Sequence, residues 1–216
     1  MTVSRAVLSK QLTSRGSVTR HRIVEVAARL MHAKGAEATS LDDVCAEASV
    51  SKSQLYHYFA NKEALVREVI AAQTERVLAA QEPAIGKLDS AAAFRAWADR
   101  IVALNRVPTV GCPLGSLANE LANQSEEARA QLVAGFDAWA ERLSDGFALM
   151  QSRGELSPSA SPRDLAISVL AAVQGGLLLA KTARSSTPLV LALNMAFKHV
   201  DAHRRAPNRG SRRSRA

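Results

Sequence analysis

The residues best suited to chemistry in this sequence are concentrated between Lys52 and Tyr58, where hydrogen-bond donors and flat rings crowd one short stretch. These polar and aromatic residues are Lys52, Ser53, Gln54, Tyr56, His57 and Tyr58. Such side chains are costly to bury in a core, whereas they match the edges of bases and the oxygens of phosphates. Leu55 and Phe59, four residues apart, supply an inward-facing anchor. The pattern predicts recognition of nucleic acid.

Start and stop signals place this stretch on the second of two short helices. The run Ser40-Leu41-Asp42-Asp43 predicts a capping box at the start of a helix that ends near Ala48. The turn 49–51 separates it from a helix that runs from about Lys52 to Phe59. A helix from near Ser17 to Gly35 precedes the pair, and Asn61 caps a longer helix from Lys62 onward. Two short helices joined by a tight turn indicate a helix-turn-helix.

The remainder of the chain also predicts helices, so the fold class is all-α, a three-helix helix-turn-helix domain followed by a larger helical domain. Apolar stripes at three- and four-residue spacing run along the central helices, and no alternating strand pattern stands out. The expected divisions are a flexible tail over 1–16, a DNA-binding domain over 17–62, a helical domain over 63–203 and a disordered arginine-rich tail over 204–216. The longest uncharged run, 165–180, is short for a membrane span, and no membrane association is expected.

The charge distribution favours a small DNA-facing part attached to a body with another role. The net charge is +3 over residues 1–60, −1 over 61–203 and +6 over 204–216. A protein that coats DNA without sequence preference would spread its positive charge more widely. No glycine-rich phosphate loop, nucleophile elbow or zinc spacing is present, which argues against an enzyme and predicts no cofactor. His199 and His203 have metal-ligand spacing but no third partner, so no metal is expected.

Residues 39–65 resemble the DNA-binding domain of the tetracycline-repressor (TetR) family. The resemblance is carried by the pattern Val-Ser-x-x-x-Leu-Tyr-x-x-Phe-x-x-Lys-x-x-Leu, which runs from Val50 to Leu65. One departure is Ser49, where the family often has glycine in the turn. The resemblance implies a sequence-specific transcriptional regulator, a repressor that acts as a homodimer on a palindromic double-stranded operator and releases it when a small effector binds. A cytoplasmic location is expected because the N-terminus lacks the apolar core of a signal peptide.

The same resemblance implies roles for individual residues in DNA binding. Positions that face the bases and the groove would be Lys52, Ser53, Gln54 and His57. Positions that hold phosphates would be Tyr56, Tyr58 and Lys62, with Thr39 and Ser40 at the start of the preceding helix.

From about residue 63 onward, the resemblance implies an effector-binding and dimerisation domain. The expected pocket residues are Phe94, Trp97, Ile101, Cys112, Phe136, Trp139, Phe147 and Gln174. The expected dimer interface comprises Leu165, Val169, Val173, Leu177, Leu189, Leu193, Phe197 and Val200. Gly175-Gly176 would permit close approach of helices. A polar group within a long apolar run needs a partner, and for Gln174 this could be an effector or the backbone.

Cys112 leaves two interpretations open. A segment like Gly111-Cys112-Pro113-Leu114-Gly115 recurs in a subset of the family, some of whose members sense electrophiles or oxidants through cysteine. A thiol at a helix N-terminus has its pKa lowered by the backbone dipole, which favours reaction. Structural cysteines are nevertheless more common, and no basic neighbour in the sequence strengthens a thiolate.

Overall fold

Helices account for most of residues 13–107 and 111–204, the ranges that the computed structural model describes. These ranges hold nine α-helices: α1 (Ser14–Lys34), α2 (Leu41–Ala48), α3 (Lys52–Tyr58), α4 (Lys62–Gln81), α5 (Ala91–Leu104), α6 (Pro113–Leu121), α7 (Glu126–Ser152), α8 (Pro162–Ala183) and α9 (Thr187–Asp201). No strand forms in the described ranges beyond one isolated bridge between Leu156 and Arg204. The all-α prediction is therefore confirmed.

Helix α1 begins three residues earlier than the expected start at Ser17. The Thr13 hydroxyl accepts a hydrogen bond from the backbone N–H of Gly16 at 3.2 Å, which caps the first turn. The helix ends at Gly35, whose φ of 94° suits glycine and whose N–H donates to the Met31 carbonyl. The predicted tails over 1–16 and 204–216 lie outside the described residues except for 13–16 and Arg204.

The chain divides into two compact units between Val69 and Ile70, within α4. The expected boundary was the start of this helix, at residue 62. The later position arises because the first two turns of α4 contribute Leu65, Val66 and Val69 to the buried core of the N-terminal unit. Arg20 of α1 also pairs with Glu68 of α4 at 2.6 Å. A helix shared between two units carries no turn or glycine at the boundary, so sequence signals miss it.

The core of the C-terminal unit is built largely from α7, α8 and α9. Gly176 allows the last two helices to approach closely, because a Cβ there would lie 3.0 Å from both the Leu189 Cα and the Ala192 Cβ. A Cβ on Gly175 would meet nothing within 4 Å. Of the two glycines, only Gly176 is therefore needed for the close packing of α8 on α9 within the protomer.

Helix α8 is the one helix of the described ranges that is long and apolar enough to cross a membrane by length and composition. The buried helices of soluble proteins share this property, and its inner face packs on α7 and α9.

The predicted dimer residues lie on the side of α8 and α9 that faces the protomer's own core. Leu165, Val169, Val173, Leu177, Leu189, Leu193 and Val200 are all buried inside the protomer, at 5% exposure or less. Phe197 is half-buried, stacked on Phe94 with Arg95 over its ring. These side chains are already covered by their own chain, so they cannot provide the surface for a second copy.

The opposite side of the same two helices is apolar and exposed. Its members, which we name the outer face, are Ile167, Leu178, Leu179, Val190, Leu191 and Met195. They make up half of the exposed large apolar side chains among the described residues. A concentration of this kind is typical of an interaction surface.

Candidate functional site

The predicted helix-turn-helix is formed by α2, a three-residue turn and α3. Ser49 ends α2 in the left-handed conformation, with φ 52° and ψ 51°, and its N–H returns to carbonyls of the last turn. Val50 follows, and Ser51 then caps α3. Ser49 thus makes the turn with a backbone conformation that residues other than glycine, asparagine and aspartate rarely adopt.

Replacing Ser49 with glycine is expected to raise the free energy of unfolding by about 0.5–1 kcal/mol, because glycine adopts positive φ without a Cβ clash. Urea denaturation monitored by circular dichroism measures this gain. The matched control is Ser53→Gly, the same substitution inside α3, which should lower stability by a similar amount. A loss of stability in Ser49→Gly would show that the turn carries no such strain.

Both short helices begin with a reciprocal capping box. In α2 the Ser40 hydroxyl accepts from the Asp43 N–H at 3.1 Å, and the Asp43 carboxylate accepts from the Ser40 N–H at 2.9 Å. The Lys34 ammonium, 2.8 Å from the same carboxylate, together with Ser40 holds the pKa of Asp43 well below its usual range. This box confirms the sequence prediction.

The capping box of α3 was missed by the sequence analysis, although its Ser-x-x-Gln signal is present. Ser51 accepts from the Gln54 N–H at 3.1 Å, and the Gln54 Oε1 accepts from the Ser51 N–H at 2.9 Å. Gln54 was assigned only to base contact. Its carbonyl end also fixes the first turn of α3, so it has a structural role in the described conformation.

The outward face of α3 is polar and exposed, as the sequence predicts. Ser53 and His57 are exposed, Tyr56 is 53% exposed, and Tyr58 is half-buried. The rings of His57 and Tyr58 meet edge to face, with 5.0 Å between centroids. Beneath them Leu55 and Phe59 are buried at 0% and 2% exposure, which confirms the two-residue anchor. The helix thus presents donors and rings outward from a fixed apolar base.

Two predicted phosphate-binding residues have hydrogen-bond partners within the chain. Thr39 is 1% exposed, and its hydroxyl donates to the Gly35 carbonyl at 2.7 Å, so we remove it from the predicted contacts. The Lys62 ammonium donates to the Glu37 carbonyl at 3.0 Å and ties the start of α4 to the loop before α2. Ser40 remains exposed while it caps α2.

Lys52 forms an exposed ion pair with Asp42 across the turn, 2.9 Å between Nζ and the carboxylate. The Asp42 carboxylate raises the pKa of Lys52, so the ammonium stays charged. Asp42 and Lys52 lie ten positions apart on different helices, so their pairing has no signal in the sequence. Its negative charge beside a basic residue of the candidate DNA surface would oppose an approaching phosphate.

Replacing Asp42 with asparagine is expected to strengthen binding to any duplex DNA by about two- to fivefold at low salt, because an acid near phosphates is removed and Lys52 is released. Fluorescence anisotropy across a salt series measures the change, which should shrink as salt rises. Asp201→Asn is the matched control, since it removes one charge from an exposed ion pair in the C-terminal unit. Unchanged affinity in Asp42→Asn would contradict the assignment of this surface.

Described residues of the C-terminal unit line two cavities of different size. The smaller cavity, about 350 Å³, is lined by three predicted pocket residues, Ile101, Cys112 and Trp139, and by the buried glutamines Gln73 and Gln81. The larger cavity, about 910 Å³, is lined among others by Cys112, Phe136, Gln174 and Lys181. Cys112 therefore borders both. Gln73, Gln81 and Lys181 were missed because each is followed by another polar residue and does not interrupt an apolar run as Gln174 does.

Three predicted pocket residues belong to an aromatic core cluster and line neither cavity. Phe94 stacks on Trp97 at 5.7 Å between centroids and meets Phe147 edge to face at 5.4 Å. All three are fully buried, and the Trp97 indole donates to the Gln81 Oε1 at 2.9 Å. We therefore leave Phe94, Trp97 and Phe147 out of the proposed effector site.

Cys112 occupies the N-cap of α6, where its Sγ accepts from the Gly115 N–H at 3.4 Å and lies 3.6 Å from the Gln174 Nε2. The side chain is 8% exposed, and burial raises the pKa of the thiol despite these hydrogen bonds. Lys181 packs its methylene chain against the preceding Gly111. The thiol is thus in its protonated form at neutral pH, which favours the structural interpretation.

Cys112 is expected to remain unmodified in folded protein after mild peroxide or quinone treatment. Less than about one tenth should react in the time that fully modifies a free thiol, because the reactive thiolate is scarce. Mass spectrometry of intact and digested protein measures this. Unfolded protein serves as the positive control, and rapid modification of Cys112 in folded protein would restore the sensing interpretation.

Comparison with known proteins matches both parts of the chain. A sequence model described as "Bacterial regulatory proteins, tetR family" matches residues 23–69. A second, described as "Transcriptional regulator LmrA/YxaF-like, C-terminal domain", matches residues 89–195. The first includes all of α2 and α3, and the second includes α5 to α8.

Similar proteins include the HTH-type transcriptional regulator YxaF of Bacillus subtilis, 28% identical over 190 residues that span 83% of this chain and 93% of YxaF. The HTH-type transcriptional repressor DhaR of a Mycobacterium species is 24% identical, over 83% of this chain and 90% of DhaR. Among solved structures, a regulatory protein TetR from Rhodobacter sphaeroides has 25% identity and a TM-score of 0.74, covering 84% of this chain and 98% of that one.

Proposed function

Because the chain belongs to the TetR family of bacterial transcriptional regulators, we propose that it is a repressor that binds a palindromic operator as a homodimer. A small molecule that occupies the C-terminal unit releases it from DNA. The observation that carries the DNA-binding part is α3, a seven-residue helix with an exposed polar and aromatic face on a buried Leu55 and Phe59 anchor. We assign the protein to the cytoplasm, where its operator would be.

The contacts of α3 divide into two kinds in this proposal. Ser53 and His57 would reach base edges, while Tyr56 would contact a phosphate and fix the register. We reassign Lys52 from the base-facing set to the phosphate contacts, because its ammonium is held at the turn by Asp42. Gln54 would offer its amide Nε2 to DNA while its Oε1 maintains the cap. Each good base contact discriminates against a wrong base by about 1–3 kcal/mol.

The outer face of α8 and α9 supports the homodimer. Four of its members, Leu178, Leu179, Leu191 and Met195, are each about 60% exposed in the protomer. A two-fold axis through this face would present two recognition helices to half-sites about 34–36 Å apart, one turn of DNA. A palindromic operator would match that symmetry.

Repression is supported by the repressor DhaR among the relatives, and effector release by the cavities of the C-terminal unit. An effector that binds one of two arrangements better than the other shifts their equilibrium. A coupling of about 1–3 kcal/mol, typical of such linkage, would weaken operator binding about 5- to 150-fold.

Binding to the DNA upstream of its own gene tests the proposal. Purified protein is expected to retard a fragment of this region in a gel-shift assay at moderate salt and to leave a shuffled fragment of equal length free. Footprinting should then show a palindrome, and a reporter gene behind it should be expressed less when the protein is present. Failure to bind any fragment of the region at low salt would refute the regulator function.

A further inference from the structure

The side chain of Gln54 is held at one end of its amide and open at the other. Its Oε1 accepts from the Ser51 N–H at 2.9 Å, and the Ser51 hydroxyl accepts in return from the Gln54 N–H at 3.1 Å. Gln54 is nevertheless exposed, and its Nε2 binds no acceptor among the described residues. The end of the amide that remains available to a ligand is therefore its NH2 group.

The orientation of this amide is fixed by the chemistry of its partner. A backbone N–H can only donate a hydrogen bond, so it attracts the oxygen of a carboxamide and repels the NH2 group. Turning the Gln54 amide over would place two donors against each other at Ser51 and would break the capping box that starts α3. The cap thus decides which atoms of Gln54 can be offered to DNA.

This orientation conflicts with the usual contact of glutamine in the major groove. A glutamine that reads adenine uses both ends of its amide, because the oxygen accepts from the N6 amino group while the NH2 group donates to N7. In Gln54 the oxygen is directed at the Ser51 N–H, so the first half of this pairing would compete with the cap. Guanine instead presents the acceptors O6 and N7, and thymine presents O4. These bases match a side chain that offers donors alone.

We propose that Gln54 is a specificity-determining residue, which selects a keto base, guanine or thymine, in each half of the operator and discriminates against adenine. The assignment rests on the proposed function, in which the first residues of α3 reach base edges in the major groove. Every base pair contains one keto base and one amino base, adenine or cytosine. Gln54 therefore determines which strand carries the keto base at the pair that it contacts.

Gln54→Glu tests this assignment and preserves the cap, because a glutamate at this position of a capping box also accepts from the Ser51 N–H. Its second oxygen replaces the NH2 group and accepts from the amino group of cytosine or adenine. Binding sites are selected from a library of random duplexes with the wild-type protein and with the variant. The keto base is expected to change strand at one base pair of each half-site. If Gln54 paired with adenine, the keto base would stay on its strand, because adenine and cytosine both carry an amino group.

Fluorescence anisotropy with two duplexes, which differ only by reversal of this base pair, measures the preference. The wild-type protein is expected to favour one duplex about tenfold and Gln54→Glu the other, although the added charge weakens binding of the variant to both. Gln54→Ala is the control and should bind the two duplexes equally, because both ends of the amide are lost. Urea denaturation should show that Gln54→Glu keeps the stability of the wild-type protein, whereas Gln54→Ala, which loses half of the cap, is less stable.

A modified base gives a second measure that does not require Gln54→Glu to bind DNA. At the selected pair, 2-aminopurine replaces guanine, or 5-methyl-2-pyrimidinone replaces thymine, so that only the keto oxygen facing the major groove is lost. The wild-type protein should bind this duplex about tenfold less tightly relative to Gln54→Ala, which lacks the donor. Equal losses in both proteins, or a keto base that stays on its strand in Gln54→Glu, would overturn the proposal. If the wild-type protein enriched no sequence from the library, the proposed regulator function itself would fail, so the two failures are distinguishable.

Discussion

Replacing Leu191 with glutamate is expected to separate the proposed dimer into monomers and to weaken operator binding by at least about 100-fold. The side chain is 63% exposed on the outer face, so a charge there costs little in an isolated protomer. In a dimer it would be buried against apolar side chains without a partner. A monomer engages one half-site at a time and loses the avidity of the pair. Sedimentation equilibrium and fluorescence anisotropy measure the two effects.

Two further variants test whether the loss of dimerisation is confined to substitutions on the outer face. Leu179→Glu places the same charge on α8, at a side chain that is 58% exposed, and should behave like Leu191→Glu. Leu149→Glu, on α7 and 42% exposed, lies off the outer face and should remain dimeric with full affinity. Circular dichroism checks that each variant folds. If both outer-face variants remained dimers with unchanged affinity for the operator, the outer face would not be the dimer interface.

Replacing His57 with alanine is expected to lower affinity for the operator by about 10- to 100-fold, while affinity for unrelated DNA falls much less. The imidazole is exposed at the centre of the outward face of α3 and is supported by the edge of the Tyr58 ring. A base-edge contact carries sequence information, so its loss reduces the ratio of specific to non-specific binding. Competition anisotropy with operator and shuffled duplexes measures that ratio.

Replacing Lys52 with alanine is expected to affect DNA binding differently from replacing His57. Loss of a phosphate contact should weaken operator and shuffled duplexes about equally and reduce the slope of affinity against salt by about one. The ion pair with Asp42 would make the loss smaller, because the carboxylate already offsets part of the positive charge of the ammonium before DNA binds. If His57→Ala weakened binding to the operator and to the shuffled duplex equally, His57 would be assigned to a contact with the DNA phosphate backbone.

Local signals were sufficient to predict the helix-turn-helix. The Ser40–Asp43 box, the Asn61 cap and the Leu55 and Phe59 anchor are all present in the structure. Caps and turns involve residues three or four positions apart, so their geometry is fixed by neighbours in the chain. The exceptions involve partners that are more distant in sequence. The spacing of residues in the sequence does not predict two such pairs. These are the ion pair of Asp42 with Lys52 and the hydrogen bond from Lys62 to the Glu37 carbonyl.

The residues that line the two cavities were predicted only in part, because side-chain bulk was used as the signal for a pocket. Trp97 and Trp139 look alike in sequence, each on an amphipathic helix. In the structure Trp97 is bonded to Gln81 within the aromatic core, and Trp139 borders a cavity with its N–H unused. A large side chain can either pack in the core or line a cavity. Which of the two occurs depends on the distances between helices that are far apart in the chain, and only the tertiary structure sets these distances.

What the sequence determined by itself was the helix-turn-helix near the N-terminus, the helical character of the remainder and the polar face of α3. Each of these follows from capping, periodicity or side-chain polarity within a few turns. Only the tertiary structure decided which side of α8 and α9 is buried. Both sides of these helices are apolar, so periodicity permitted Val173 and Leu177 or Leu178 and Leu179 as the inner face. Packing against α7, with Gly176 at the close crossing of α8 and α9, selects the first set and leaves the second exposed.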